Sequence, residues 1–344
     1  MRVEPRFKNT ALVAWARDEG FDRLSSDSLE EALGPLLERL RLPKGFIASM
    51  TGILARPLYP ADFPPSQGAI RASKKLFDSF DPHQIDLLYS TSVGRDYLEP
   101  STASIIQAAL GLGPMVKSLD LGSACLGFID GLELAALKIE AGLAQYALVT
   151  AGENSRPLLE NTLTGLLEPG VTVREFFKNF ASLTLGSGGA AMIVGPADLH
   201  PQAPKLISMV SLSDAANNHL CRGDFSGMQT DSAALLEAGV ALAQATFTKG
   251  ASNFGWTKDT FDLIVCHQVS EANTRRFSQV LELDWDRLIK TYPHYGNMGP
   301  VAVPFTFDLA WERGLIRPGH RVGLMGIGSG LCCAMMEVLI PGPF

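Results

Sequence analysis

The stretch Leu119–Leu137, "LDLGSACLGFIDGLELAAL", carries an apolar run through a turn and into a helical pattern, with Cys125 at the turn. Gly122, Ser123 and Ala124 are small enough to let backbone approach closely there. A thiol at a helix N-terminus faces unpaired N–H groups and the positive end of the helix dipole, which lower its pKa. The same amides can stabilise an oxyanion. A buried cysteine among small residues is also a common packing side chain. The stretch alone leaves both readings open.

Outward from this turn the chain alternates between two patterns. Short apolar runs bounded by Gly, Asp or Pro read as strands buried on both faces: "IDLLYST" (85–91), "YALVTAG" (146–152), "GAAMIVG" (189–195), "FDLIVCH" (261–267) and "RVGLMGI" (321–327). Between them, helical patterns cover 28–40, 66–79, 100–111, 126–141, 231–249, 270–282 and 302–313, the first opening on a capping box at Ser28–Glu31. Strands alternating with helices predict a layered α/β architecture. "IDLLYSTSV" and "FDLIVCHQV", about 180 residues apart, echo one another and suggest a βαβ-type unit used twice. The predicted halves are 1–195 and 196–344, sharing one core. The segment 154–185 breaks the rhythm and reads as an insertion over one end of the sheet, where substrate pockets and partner contacts are built.

A chain of 344 residues with 46% apolar and 19% charged residues buries a sizeable core. A net charge of −7 without a Lys/Arg cluster excludes a nucleic-acid footprint. Five cysteines, Cys125, Cys221, Cys266, Cys332 and Cys333, are too few for a disulfide framework and read as reduced thiols. The N-terminus lacks a signal-peptide pattern, and no uncharged apolar window approaches about 20 residues. A soluble, cytoplasmic protein without a transmembrane segment is expected.

Three further positions have chemical potential. His267 closes the strand-like run "FDLIVCHQ", and strand C-termini are where α/β sheets place ligands. Cys266 beside it points to the opposite face, so no Cys–His metal pair is expected. Asn297 sits in "HYGNMGPVAVP", a tight turn feeding a helix whose early positions tolerate proline. Taken singly, each is as readily a structural residue. Together, a thiolate nucleophile opposite a His Nε2 and an Asn amide makes a nucleophile with polar donors. The glycines of "MGIGSGLCCAMMEVL" (325–339) lack a phosphate-loop Lys and precede a strand-like run, so they read as a close backbone approach that brings the Ser329 N–H to a ligand carbonyl.

"DLGSACLGFIDGLELA", "CHQVS", "YGNMGPVAVP" and "GIGSGL", in this order and spacing, resemble the ketosynthase III-like branch of the thiolase superfamily over nearly the whole chain. "TSVGRDYLEPSTASI" (91–105) is similar to the OleA-type head-to-head condensing enzymes of long-chain olefin biosynthesis. The resemblance implies a duplicated five-layer αβαβα thiolase fold with mixed sheets, and a homodimer. It implies that Cys125 accepts an acyl group and that His267 and Asn297 hold an enolate. The backbone N–H groups of Cys125 and Ser329 would form a second oxyanion hole.

The resemblance also implies that Glu99, delivered across the dimer interface, is the base that removes a Cα proton. Joining two ordinary acyl-CoAs needs such a base, whereas a decarboxylative ketosynthase does not. Read without the resemblance, Glu99 is a surface residue before a helix-starting proline. Arg56 in "TGILARPLYP" is a candidate for a CoA phosphate, an ion pair being the other reading. Arg95 and Asp96 would position Glu99 or join a dimer salt bridge. The expected reaction is a non-decarboxylative Claisen condensation giving a 2-alkyl-3-oxoalkanoate, with CoA as carrier and no metal or redox cofactor. Downstream pathway enzymes would be its partners. The alternative is a decarboxylative 3-oxoacyl-carrier-protein synthase III or a related acyltransferase.

Overall fold

In a computed structural model, residues 6–224 and 227–342 are described. Their strands are β1 (Thr10–Glu19), β2 (Asp22–Ser25), β3 (Ala55–Leu58), β4 (Leu87–Ser90), β5 (Lys117–Asp120), β6 (Ala147–Glu153), β7 (Gly188–Pro196), β8 (Lys205–Ser213), β9 (Cys221–Gly223), β10 (Met228–Thr230), β11 (Leu263–Cys266), β12 (Arg321–Gly328) and β13 (Cys332–Leu339). Nine of them join edge to edge in the order β11-β12-β13-β8-β1-β7-β6-β4-β5.

This order contains two arms with matching directions. In one, β4 is parallel to β5 and β6, β6 is antiparallel to β7, and β7 to β1. In the other, β11 is parallel to β12, β12 antiparallel to β13, and β13 to β8. Beyond β11, Ile264 pairs in parallel with Leu288 in an isolated bridge, where the first arm has β5 beside β4. The echoing runs therefore supply corresponding strands, β4 and β11. Only Ala11 and Lys205 pair across the junction between β1 and β8.

Successive strand residues face opposite sides, and their partners define the layers. Val149 of β6, Met192 of β7, Leu324 of β12 and Met336 of β13 enter one core with Leu132 and Ala136 of helix Gly127–Glu140 and with Phe305 and Leu309 of helix Ala302–Glu312. Their neighbours Leu148 and Ile193 face a second cluster, with Ile70 and Ile106 from helices Pro65–Leu76 and Thr102–Ala109. Met325 and Met335 face a third, with Leu242 and Phe277 from helices Ser232–Phe254 and Glu271–Val280. Helices, sheet arm, central helices, sheet arm and helices make five layers. The predicted strand and helix runs fall on these elements within a few residues.

Two local readings change. The helical run 28–40 is two helices, Ser26–Ala32 and Gly34–Arg39, and its N-cap is Ser25, which accepts the Ser28 N–H. Ser28 therefore lies inside the helix and the expected box of Ser28 and Glu31 does not form, while Glu30 accepts the N–H groups of Gly45 and Ile47. A reciprocal box forms at Thr172 and Glu175. The segment 154–185 holds helices Arg156–Leu166 and Val173–Asn179, which bury Leu159, Leu166 and Phe176 against Leu29, Leu33 and Leu37.

Candidate active site

Strand ends from both arms converge on a cavity of about 1160 Å³ lined by Cys125, Glu153, His267, Asn297 and Ser329 among mainly apolar neighbours. Pro157, Leu158 and Leu185 of the insertion form part of its wall.

Past β5, Ala124 takes a left-handed backbone (φ 48°), and the chain enters a short 3-10 turn, Ala124–Leu126, before helix Gly127–Glu140. Such a conformation costs a non-glycine residue about 1–3 kcal/mol and persists where surrounding structure holds it. The β12–β13 connection packs directly on this elbow, since a Cβ at Gly328 would lie 2.8 Å from the Ser123 carbonyl oxygen. Ser329 reaches the same cavity wall. The thiol is not lowered overall, contrary to the expectation from the helix terminus. Burial pushes Cys125 up to about 12, the Glu153 charge adds to this, and the backbone N–H opposes it only in part.

His267 follows β11, with its N–H donating to the Met325 carbonyl (2.8 Å). The Gly299 N–H can only donate, so the atom of Asn297 that it meets at 3.0 Å is Oδ1. The same Oδ1 lies 3.1 Å from His267 Nε2, which must therefore carry the proton. Burial pulls the imidazole down to about 4, so it is neutral near pH 7. A neutral Nε2–H and the Asn297 Nδ2 amide are donors of the kind that oxyanions require.

The Asn297 turn is pinned to the end of the insertion. Asn297 N–H donates to the Thr184 carbonyl (2.8 Å), and Gly186 N–H donates to the Asn297 carbonyl (2.9 Å). A Cβ at Gly186 would sit 2.1 Å from the Tyr295 carbonyl oxygen, so only glycine permits this approach. Gln268, buried, ties the histidine segment to the asparagine segment. Its Nε2 donates to the Ile289 carbonyl (2.6 Å), and its Oε1 accepts the N–H groups of Thr291 and Tyr292.

Glu99 is exposed and does not line the cavity, although Arg95, Asp96 and Leu98 of the same loop do. Its loop is anchored on either side. Glu153 accepts the N–H groups of Val93 (2.5 Å) and Gly94 (3.1 Å). Asp96 accepts the Ser66 N–H and hydroxyl. Asp120, at the end of β5, accepts the N–H groups of Thr102 and Ala103. Between these anchors, Tyr97 and Leu98 are 61% and 76% exposed.

Arg56 does not reach the cavity. It has no exposed surface, and its Nη2 donates to Ser26 Oγ (3.1 Å). Burial pulls its guanidinium down to about 10. A fully enclosed guanidinium cannot meet a phosphate arriving from solvent, so the CoA-phosphate reading is corrected, and no ion pair replaces it among the described residues. Reading the sequence alone missed Glu153 and Gln268. The strand-end argument that singled out His267, applied to "YALVTAGE", would have found Glu153. Gln268 carries no local signal beyond standing beside a candidate histidine. The described residues contain no cluster of His, Cys, Asp and Glu able to hold a metal ion.

Residues 251–339 match the family described as 3-oxoacyl-[acyl-carrier-protein] synthase III C terminal. An acyl-CoA:acyl-CoA alkyltransferase of Xanthomonas campestris pv. campestris is 38% identical over 97% of this chain and 99% of its own length. One from Shewanella oneidensis is 33% identical over 92% of this chain and 94% of its own. The crystal structure of cerulenin-bound Xanthomonas OleA superposes with a TM-score of 0.95, at 38% identity, covering 97% of this chain and 98% of that one. Solved variants of Xanthomonas OleA replace a glutamate, a cysteine and a histidine. Their successive intervals, 26 and 142 residues, equal those from Glu99 to Cys125 and from Cys125 to His267.

Proposed function

The chain belongs to the acyl-CoA:acyl-CoA alkyltransferase family, and from that membership we propose that it joins two fatty acyl-CoAs by non-decarboxylative Claisen condensation. The observation that carries this is the single cavity that Cys125, His267 and Asn297 line together. At about 1160 Å³ it is larger than a typical drug-sized ligand pocket, as two acyl chains require.

The Cys125 sulfur attacks the first thioester carbonyl, and its proton leaves with the CoA sulfur as free CoA. The N–H groups of Cys125 and Ser329 hold the tetrahedral oxyanion. Glu99 of a second copy then removes a Cα proton from the second acyl-CoA, whose enolate oxygen is held by His267 Nε2–H and Asn297 Nδ2–H. The enolate carbon attacks the acyl-enzyme carbonyl, and the Cys125 sulfur leaves and is reprotonated. Hydrolysis of the 2-alkyl-3-oxoacyl-CoA releases the 2-alkyl-3-oxoalkanoate. CoA serves as carrier, and the steps use no resident cofactor.

A homodimer with Glu99 crossing the interface fits the exposed surface. Edge strand β5 leaves Lys117 and Leu119 open to solvent, and Val93, Tyr97, Leu98 and Met115 are exposed nearby in the chain. An uncovered edge with apolar neighbours is a surface that proteins normally cover. Halves 1–195 and 196–344 are the two copies of a repeated unit, a reading supported by the matching strand directions of the two arms. No helix among the described residues is long and apolar enough to cross a membrane, and a cytoplasmic location agrees with five free cysteines. An enzyme that consumes a β-keto acid is the expected downstream partner.

Incubation with acyl-CoAs of several lengths, without malonyl-CoA, tests the reaction. Masses corresponding to condensed β-keto products are expected. Product formed only when a malonyl thioester is added would replace this reading with the decarboxylative one.

A further inference from the structure

Glu153 ends β6, and its carboxylate occupies a place that the condensation chemistry leaves unassigned. β6 lies beside β4 in the sheet, so the end of β6 stands next to the chain leaving β4 towards Glu99. Each carboxylate oxygen takes one N–H from that chain, Oε1 from Val93 and Oε2 from Gly94. Gly152 N–H adds a bond to Ser92 Oγ (2.9 Å). On its other sides Glu153 borders the cavity that Cys125 also lines, its charge acts on the Cys125 thiol, and a Cβ at Gly299 would lie 3.8 Å from its Cγ. No lysine or arginine among the described residues offsets its charge.

We propose that Glu153 is a positioning residue for the condensation step: its carboxylate fastens the root of the loop that presents Glu99 and so sets where that base lies in the opposite site of the dimer. The inference rests on the reading of Glu99 as the base. It makes Glu153 a link between sites, because the carboxylate and the loop it fastens border the cavity of their own subunit while Glu99 on that loop serves the other.

The fastening depends on ionisation. A carboxylate accepts both N–H groups, whereas a protonated carboxyl turns one oxygen into a donor and releases one of them. Burial raises Glu153 to about 7, opposed by the Val93 and Gly94 N–H groups, so the change falls near neutrality. The groups facing the carboxylate are those two amides and the Cys125 thiol, which burial holds in its neutral form.

The test compares wild type, Glu153→Gln and Glu99→Ala in two assays. One is single-turnover acylation of Cys125 read by protein mass, and the other is formation of the condensed product. Glu153→Gln keeps the side chain's size but loses one acceptor. Because the Glu153 charge also acts on the Cys125 thiol, the readout is the ratio of the two assays: condensation is expected to fall about 10-fold or more relative to the variant's own acylation rate, since small displacements of a reacting group have effects of this size. Hydrogen exchange should quicken in peptides covering Val93–Pro100 but not in the one containing Cys125. Condensation by the wild type should fall below about pH 7, and this limb should be absent in Glu153→Gln. Equal loss in both assays, or undiminished condensation, overturns the assignment of Glu153. Full condensation by Glu99→Ala would instead overturn the reading of Glu99, a separate outcome of the same assay.

Discussion

Cys125, His267 and Asn297 stand at the ends of structural elements from both arms and are fixed by neighbouring backbone, whereas Glu99 stands in a loop anchored at its flanks and bare at its tip. The first group is settled by the core of a single chain. Its proposed oxyanion donors are held by bonds that need no second copy: Asn297 Oδ1 by Gly299, the Asn297 backbone by Thr184 and Gly186, and the surrounding segments by Gln268. The Glu99 loop is held at Val93, Gly94, Asp96, Thr102 and Ala103. One chain can therefore prepare the acyl acceptor, but it leaves its proposed base facing outward.

The contrast is broken most sharply by removing one member of each group. Cys125→Ala should abolish both acylation and condensation, while Glu99→Ala should lower condensation by about 10²–10⁴-fold and leave acylation measurable by mass. If Glu99→Ala stopped acylation as well, the division of labour would fail. Asn297→Ala should cost about 10²–10³-fold in condensation, the usual effect of losing one oxyanion donor, with kcat falling more than KM rises. A loss confined to KM would move Asn297 from transition-state stabilisation to substrate binding.

The smallest expected effect is on stability. Glu153 has a folded-state pKa raised to about 7 from an ordinary 4.5, so between these values the folded chain binds more protons than the unfolded one. Stability from this group is therefore greatest below about pH 4.5 and declines as pH rises to about 7. The full decline is about 3 kcal/mol. Thermal unfolding of wild type and Glu153→Gln at pH 5 and pH 8 checks this: the variant should gain relative to wild type at the higher pH. An unchanged difference between the two pH values would show that Glu153 does not titrate in this range.

What the sequence disclosed follows the same line. The strands buried on both faces announced themselves as apolar runs, and Cys125, His267 and Asn297 were visible because each follows such a run or a tight turn. β1 was not seen, because "TALVAWARDE" ends in charges whose partners are remote: Arg17 pairs with Asp308 and Glu312, and Asp18 accepts from Tyr59 and Arg71. Local spacing contains nothing of these pairings. Arg56 was misread for the same reason, since only the tertiary fold encloses it between Ser26 and the Gly186 turn. Glu153 needed the sheet order, which places the end of β6 beside the exit of β4. The family resemblance singled out Glu99; its surroundings alone describe an exposed residue before a proline.

The bare tip of the Glu99 loop also bears on when reactive carbon is made. An enolate formed in open water would recover its proton from solvent before meeting an acyl-enzyme. In the proposed dimer the base is mounted on one subunit and the electrophile in another, so an unassembled chain would be loaded but would not fire. On that proposal assembly would act as a safety catch, released where the exposed apolar residues near β5 and Glu99 in the chain are covered.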